Sequence, residues 1–462
     1  MSDDATARLP RSTPTDAGVD ARGIGRFLDA VDALDGVELH SLMVCRSGRV
    51  VAEGWWAPYA PERPHLVYSV SKSFTSTALG LAVAEGLVDL DATVLSYFPE
   101  LDADVTDDRA RSIRVRHVAA MASGHAEETV GPASLDEEGD LLRGFLRIPP
   151  DVEPGTLFTY NQPCTFALAA IVQRVSGTGL LEFLRPRLLE PLGIGELGWI
   201  RDGRGRELGF SGLHAPTEAL AKLGLLYLQE GVWEGRRLLP AEWVAEARRS
   251  HVDTSAEEKI DWAQGYGFQF WVGRHGYRAD GAYGQFSLVL PEQDAVVAIT
   301  SQTVDTPALL AAVWEHLLPA LTAGSGDEEA DDAVRQRLSD GRLAGPAGDP
   351  APAPEGTYRP GTDVEPASLA RVGVGGGRVV LEEDGVETSA PLGEGWPGGE
   401  PLTTAGARRA DGTYALDVAF VETPHRLHLV LDPADGTFTS RWGSTPLHVG
   451  SLAELRVPTP LA

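Results

Sequence analysis

Ser69 and Lys72 stand three residues apart in the run YSVSKSFTSTALGLA (68–82), and a hydroxyl and an amine at that spacing can share a proton. If the run is helical, both side chains lie on one face, about 5–6 Å apart at their Cβ atoms. A lysine in a first helical turn faces about half a unit of positive charge from the unpaired N–H groups. Behind it, residues 77–83 are almost wholly small or apolar, the composition of a helix buried on all sides. Burial and the helix terminus both favour the neutral amine, which is a base. Ser69 then has a route to lose its proton as it attacks a carbonyl, with its own backbone N–H placed to meet the oxyanion. The competing reading is structural: Ser69 caps the helix and Lys72 runs its stem out to water. Lysine is otherwise confined to Lys222 and Lys259, neither of which has a serine three residues earlier.

The elements that must hold this pair are legible by periodicity. A helical pattern over 16–34 (Ile24, Phe27, Leu28, Val31, Leu34) leads into VELHSLMVCRSGRVVAEGWW, two strands turning at Arg46-Ser47-Gly48. Helical segments follow at 69–85, 163–175 and 218–228. Then come strand candidates GFQFWVG, AYGQFSLVLP and DAVVAITSQ, and a closing helix over 307–321. Strands at both ends with helices between them predict one antiparallel sheet covered by helices, an α+β architecture over residues 1–322. Residues 323–354, rich in Gly, Ala, Asp and Pro, read as a linker with room for one short helix. Residues 355–462 alternate apolar and polar positions between turns such as Asp384-Gly385, Asp411-Gly412 and Asp435-Gly436, predicting a small all-β barrel or sandwich. GVGGGR at 373–378 has no helix after it, so it reads as a turn beside a strand.

With 39 basic and 67 acidic residues, the net charge of -28 disfavours nucleic acid and anionic membrane as partners. There is no basic start with an apolar stretch behind it, and no run of about 18 apolar residues, so the expectation is a soluble cytoplasmic protein. Cys45 and Cys164 are too few for a disulfide framework and read as buried thiols. His425 and His428 are badly spaced for a shared metal on a strand, and no metal is expected.

The run YSVSKSFTSTALGLAVAEG resembles the nucleophile helix of the serine β-lactamase and penicillin-binding-protein superfamily, whose signature is S-x-x-K. The order of elements across 15–322 is similar too. The branch most alike is the class C-like one, which includes esterases, D-amino-acid peptidases, nylon-oligomer hydrolases and peptide-cyclising thioesterases. The C-terminal strands resemble the lipocalin-like appendage that some of these carry. The resemblance implies a β-lactamase/transpeptidase-like fold and a serine hydrolase that cleaves an ester or amide through an acyl-enzyme, without cofactor. Its partner would be a small-molecule or peptide-like acyl substrate; the oligomeric state is not legible. A transacylase or macrocyclising thioesterase, and a ligand-binding or sensor module of the same fold, are the alternatives.

The resemblance also implies residue roles. In EPGTLFTYNQPCTFALAAIVQRVSG, Tyr160 takes the place of the family tyrosine that shuttles a proton with Lys72. Gln162, or Asn161 beside it, stands where an asparagine holds the substrate carbonyl. The third element, usually Lys/His-x-Gly, is matched by Ala282-Tyr283-Gly284, so its cation is missing; Tyr283 and Gly284 would line the substrate and Gln285 would give the second oxyanion N–H beside Ser69. Arg278 or His275 are candidates to replace the cation, although Arg278 also reads as an exposed strand residue. His125 in MASGHAEE is a candidate pocket residue, and His214 a structural one.

Overall fold

The computed structural model describes residues 8–324, 326–393, 395–447 and 450–458; residues 1–7, part of the lead read above for a targeting signal, lie outside them. Asp20 caps α1 (Ala21–Asp32) by accepting from the Arg22 N–H, and α1 buries Ile24, Phe27, Leu28 and Val31. Their partner is an antiparallel sheet built from β1 (Val37–Arg46), β2 (Arg49–Trp55), β3 (Trp271–Gly273), β4 (Gly276–Gly281), β5 (Gln285–Leu290) and β6 (Ala295–Thr303), in the order β2-β1-β6-β5-β4-β3. Successive residues of a strand face opposite sides. Leu42 and Val44 of β1 therefore join α1 in one core, and Met43 and Cys45 join the helices on the other face.

Those helices include α2 (Ser71–Ala84), α3 (Gln162–Ser176) and α4 (Thr217–Leu228), all buried over most of their length. Because β1 pairs with β6, with Val44 opposite Val297, the two ends of this unit close the sheet together. Among the described residues no single helix is long and apolar enough to cross a membrane. Both cysteines are free and buried.

Two strands differ from the sequence expectation. GFQFWVG is extended only at Trp271–Gly273, because Gln269 sits at φ 64 and turns the chain. GYRADG, absent from the strand candidates, forms β4, and its Arg278 is buried rather than exposed: the guanidinium gives Nε to Asp280 at 2.9 Å and Nη1 to the Asp261 carbonyl at 2.8 Å, and lies over the Trp262 ring.

The segment after the sheet forms α5 (Glu328–Ser339), whose Val334 and Leu338 join the α1 core. Eight strands follow: β7 (Gly356–Val364), β8 (Leu369–Gly375), β9 (Arg378–Glu383), β10 (Val386–Pro391), β11 (Leu402–Arg408), β12 (Tyr414–Phe420), β13 (Arg426–Asp432) and β14 (Thr437–Trp442). Their order is β10-β9-β8-β7-β14-β13-β12-β11, a nearly closed barrel around Leu416, Val418, Leu429, Leu431 and Phe438. Gly376-Gly377 makes the turn between β8 and β9.

Candidate active site

The chain reaches Ser69 through Tyr68, which has φ 47, a left-handed conformation that costs a residue with a side chain about 1–3 kcal/mol. Tyr68–Val70 is a single 3-10 turn and α2 begins at Ser71, so Ser69 lies just ahead of the helix and Lys72 within its first turn. Lys72 is 1% exposed. Its Nζ lies 2.9 Å from Ser69 Oγ, 2.6 Å from Gln162 Oε1 and 2.8 Å from the Phe210 carbonyl. Burial lowers its pKa from 10.5 to about 7, with Glu128 and Asp280 pulling the other way. A neutral amine has two N–H bonds and one lone pair. The Gln162 and Phe210 carbonyls can only accept, so they take the two N–H groups, and the lone pair is left for the Ser69 hydroxyl. The capping reading of Ser69 and the solvated reading of Lys72 both fail on this geometry.

Tyr160 hydrogen-bonds Ser69, and burial raises its phenol well above the ordinary range. Its ring stacks on Trp271 at 5.6 Å and lies 4.8 Å from Lys72 Nζ. Ser69, Tyr160 and Gln162 open into a cleft of about 640 Å³ whose apolar walls include Phe158, Trp262, Trp271 and Leu447, with carboxylates at Asp253, Glu257 and Glu258. Leu447 comes from the segment that follows the last barrel strand.

Gln162 thus meets the lysine, but its neighbour does not face the cleft. Asn161 is buried, and its Oδ1 accepts from the Thr129 N–H and hydroxyl, both at 3.0 Å. His125 is buried as well, bridging Ser123 and the Ile148 carbonyl at 2.9 Å each, so it holds a loop rather than a substrate. His214 is buried against the Gly212 carbonyl, and His275 packs on Trp314.

The third element is displaced by three residues from the sequence match. Ala282-Tyr283-Gly284 is the tight turn between β4 and β5, with Tyr283 at φ 64 and Gly284 at φ 83. Gln285 belongs to β5, an interior strand, and its side chain is fully buried between the Ala282, Tyr283 and Ser301 carbonyls. Gly284 backs onto Ser301, and Tyr283 turns away to give its hydroxyl to the Thr445 carbonyl at 2.5 Å. Gln285, Gly284 and Tyr283 do not line the cleft with Ser69.

What faces Ser69 is β4. Its neighbour β3 pairs only as far as Arg278, leaving the edge from Ala279 onward uncovered, and unpaired edge groups are available to a ligand. Asp280, Gly281 and Ala282 line the cleft with Ser69. Gly281 is required: a Cβ there would stand 2.3 Å from the Val67 carbonyl and 3.3 Å from Ser69 N. Ala279 stands where a cation was expected, and beside it the cleft holds Asp280, its pKa raised by burial against the pull of Arg278. The glycine three residues before Gly284 was the signal in the sequence, and it is intelligible only once the turn is placed.

A serine on a tight turn, a lysine enclosed by carbonyls, a tyrosine beside them and a strand edge opposite make up the candidate site. The chain belongs to the β-lactamase family, whose model matches residues 28–322. It is 30% identical over 257 residues to the 6-aminohexanoate-dimer hydrolase of Paenarthrobacter ureafaciens, covering 52% of this chain and 65%, just under two thirds, of that enzyme. It is 28% identical over 296 residues to penicillin-binding protein 4 of Amycolatopsis lactamdurans, covering 55% of this chain and 76% of the relative. The fold is shared with EstCE1, a hydrolase with promiscuous acyltransferase activity, at a TM-score of 0.53, 18% identity and coverage of 66% of this chain and 99% of that one.

Proposed function

We propose that the protein is a serine hydrolase that cleaves an ester or amide bond through an acyl-enzyme on Ser69. The observation that carries this is the 2.9 Å contact between Ser69 Oγ and an Nζ whose other two neighbours are carbonyl oxygens. Ser69 Oγ bonds to the substrate carbonyl carbon as its proton passes to Lys72, and the negative oxygen is met by the N–H groups of Ser69 and Ala282. The bond to the leaving alcohol or amine then breaks, and Tyr160 hands that group its proton. Tyr160 regains a proton from Lys72; water then attacks the acyl carbon and passes one proton through Tyr160 to Lys72, the bond to Ser69 Oγ breaks, and Lys72 returns that proton to Ser69. Gln162 keeps the lysine aimed.

The lack of a cation at Ala279 and the carboxyl of Asp280 in the cleft weigh against substrates recognised by a carboxylate at that strand, such as penicillins. They leave neutral esters and amides as the preferred class.

The test is a panel of p-nitrophenyl esters, D- and L-amino amides and nitrocefin, run beside fluorophosphonate labelling read by intact mass. Turnover of an ester or amide is expected, with label on Ser69, and Ser69→Ala is expected to lose both. Multiple turnover by Ser69→Ala would remove the proposal. Adding a nucleophilic amine separates hydrolysis from acyl transfer by the product ratio.

A further inference from the structure

The residue in front of the nucleophile is gripped from the barrel. His425, in the loop that enters β13, is buried, and its Nε2 lies 2.5 Å from the Tyr68 hydroxyl. Its Nδ1 faces the Ser444 carbonyl at 2.8 Å. A carbonyl only accepts, so Nδ1 carries the ring proton and Nε2 accepts from the Tyr68 O–H. The Leu447 N–H approaches the same Tyr68 oxygen at 3.5 Å. Edge-to-face contacts at 5.4–5.8 Å join the rings of Tyr68, Tyr283 and His425, and the Tyr283 hydroxyl is held by Thr445. Each ring of the cluster is thus tied to the barrel or belongs to it. Burial lowers the His425 pKa to about 3, so the ring is neutral and its proton order is the same across the working pH range.

Tyr68 has a left-handed backbone, which a side-chain-bearing residue leaves unless its surroundings hold it. Relaxation at this position swings the next residue, and the next residue is Ser69. The sheet-and-helix unit supplies Lys72 to receive the Ser69 proton and the Gln162 and Phe210 carbonyls to hold that lysine, while the hydroxyl of Tyr68 is held by His425 from the barrel.

We propose that His425 is a positioning residue for acyl transfer: through the Tyr68 hydroxyl it holds the turn that keeps Ser69 Oγ within reach of Lys72 Nζ. The barrel is then a working part of the active site. This rests on the reading of Ser69 as the nucleophile.

The test uses the full chain, with a p-nitrophenyl ester for steady-state rates and a fluorophosphonate for the rate of Ser69 labelling. Tyr68→Phe keeps the ring and deletes the hydrogen bond. It is expected to lower kcat and the labelling rate together by roughly 10- to 100-fold, with KM held within about twofold. His425→Ala is expected to behave alike where it folds, and Tyr68→Phe carries the test where it does not. His425→Gln, whose amide reaches the place of Nε2, is expected to recover most of the rate, and the shorter His425→Asn is not. A purely structural role would move unfolding midpoints without this split between kcat and KM or this ordering of Gln over Asn. If the wild type labels on Ser69 and Tyr68→Phe matches it in both rates, the positioning role is overturned and the nucleophile stands. If Ser69→Ala still turns over substrate, the reading of the site falls and this proposal with it.

Discussion

Replacing Lys72 by methionine is expected to stabilise the protein while abolishing its activity. The amine has a pKa of 10.5 in the unfolded chain and about 7 in the folded one. At about 1.36 kcal/mol per pH unit, burial of this group opposes folding by roughly 5 kcal/mol wherever the unfolded lysine is charged and pH lies below 7. Methionine removes that opposition with a chain of similar volume. It also removes the donors to Gln162 and Phe210; Gln162 lines the open cleft, so the larger loss is at the enclosed Phe210 carbonyl, about 1–3 kcal/mol.

The net expectation at pH 6 is a variant more stable by about 2–4 kcal/mol. Between pH 7 and 10.5 the unfolded lysine still holds its proton and the folded one has released it, so wild-type stability climbs with pH relative to the variant. Near pH 9 the opposition has fallen to about 2 kcal/mol, and the two proteins should be close to equal. Urea unfolding of both proteins at pH 6, 7.5 and 9 measures this directly, with ester turnover expected to fall at least about 100-fold. A variant less stable than wild type at pH 6, or a difference that does not change with pH, would show that the amine is not held neutral, and the base would be lost from the mechanism.

The same group sets the pH dependence of catalysis: kcat/KM for a neutral ester should rise through pH about 7 as Lys72 loses its proton, and a flat profile between pH 5.5 and 8.5 contradicts it. Tyr160, raised by burial, should add no fall below pH 10, and Tyr160→Phe should cost most of kcat. Gly281→Ala drives a methyl into the Val67 carbonyl, so kcat should fall at least about tenfold in a folded protein; wild-type turnover would remove β4 from the site. Leu447 is 52% exposed and walls the cleft, so Leu447→Trp should leave stability within about 0.5 kcal/mol and lower kcat/KM for long-chain p-nitrophenyl esters relative to the acetate, with Leu447→Ala shifting the ratio the other way. An unchanged chain-length ratio in both variants means that the residue shapes nothing.

The helix of Ser69 and Lys72 was legible because a charge placed among small apolar residues has few physical explanations, and Tyr160 and Gln162 followed from their frame before a proline-started helix. The sheet was legible in β1, β2, β5 and β6, whose apolar runs are long. β4 was not, because its burial rests on Arg278 and Asp280 neutralising each other, a pairing without periodicity. That miss moved the third element from Ala279-Asp280-Gly281 to Ala282-Tyr283-Gly284, and the residue after it from Ala282 to Gln285. Asn161 and His125 went astray for another reason: polar groups beside a cleft and polar groups tying a loop together look alike until their partners are known. The left-handed turn at Tyr68 and its link to His425 span 357 residues, beyond the reach of any local pattern.

The pairing of β1 with β6 bears on how this molecule is made. A ribosome delivers Ser69 early, but the strand edge opposite it and the sheet that supports that edge are synthesised some 200 residues later. Contacts so distant along the chain form late and slowly. A growing or truncated polypeptide therefore carries Ser69 without the strand edge that faces it, and the candidate site is not assembled before the sheet is finished.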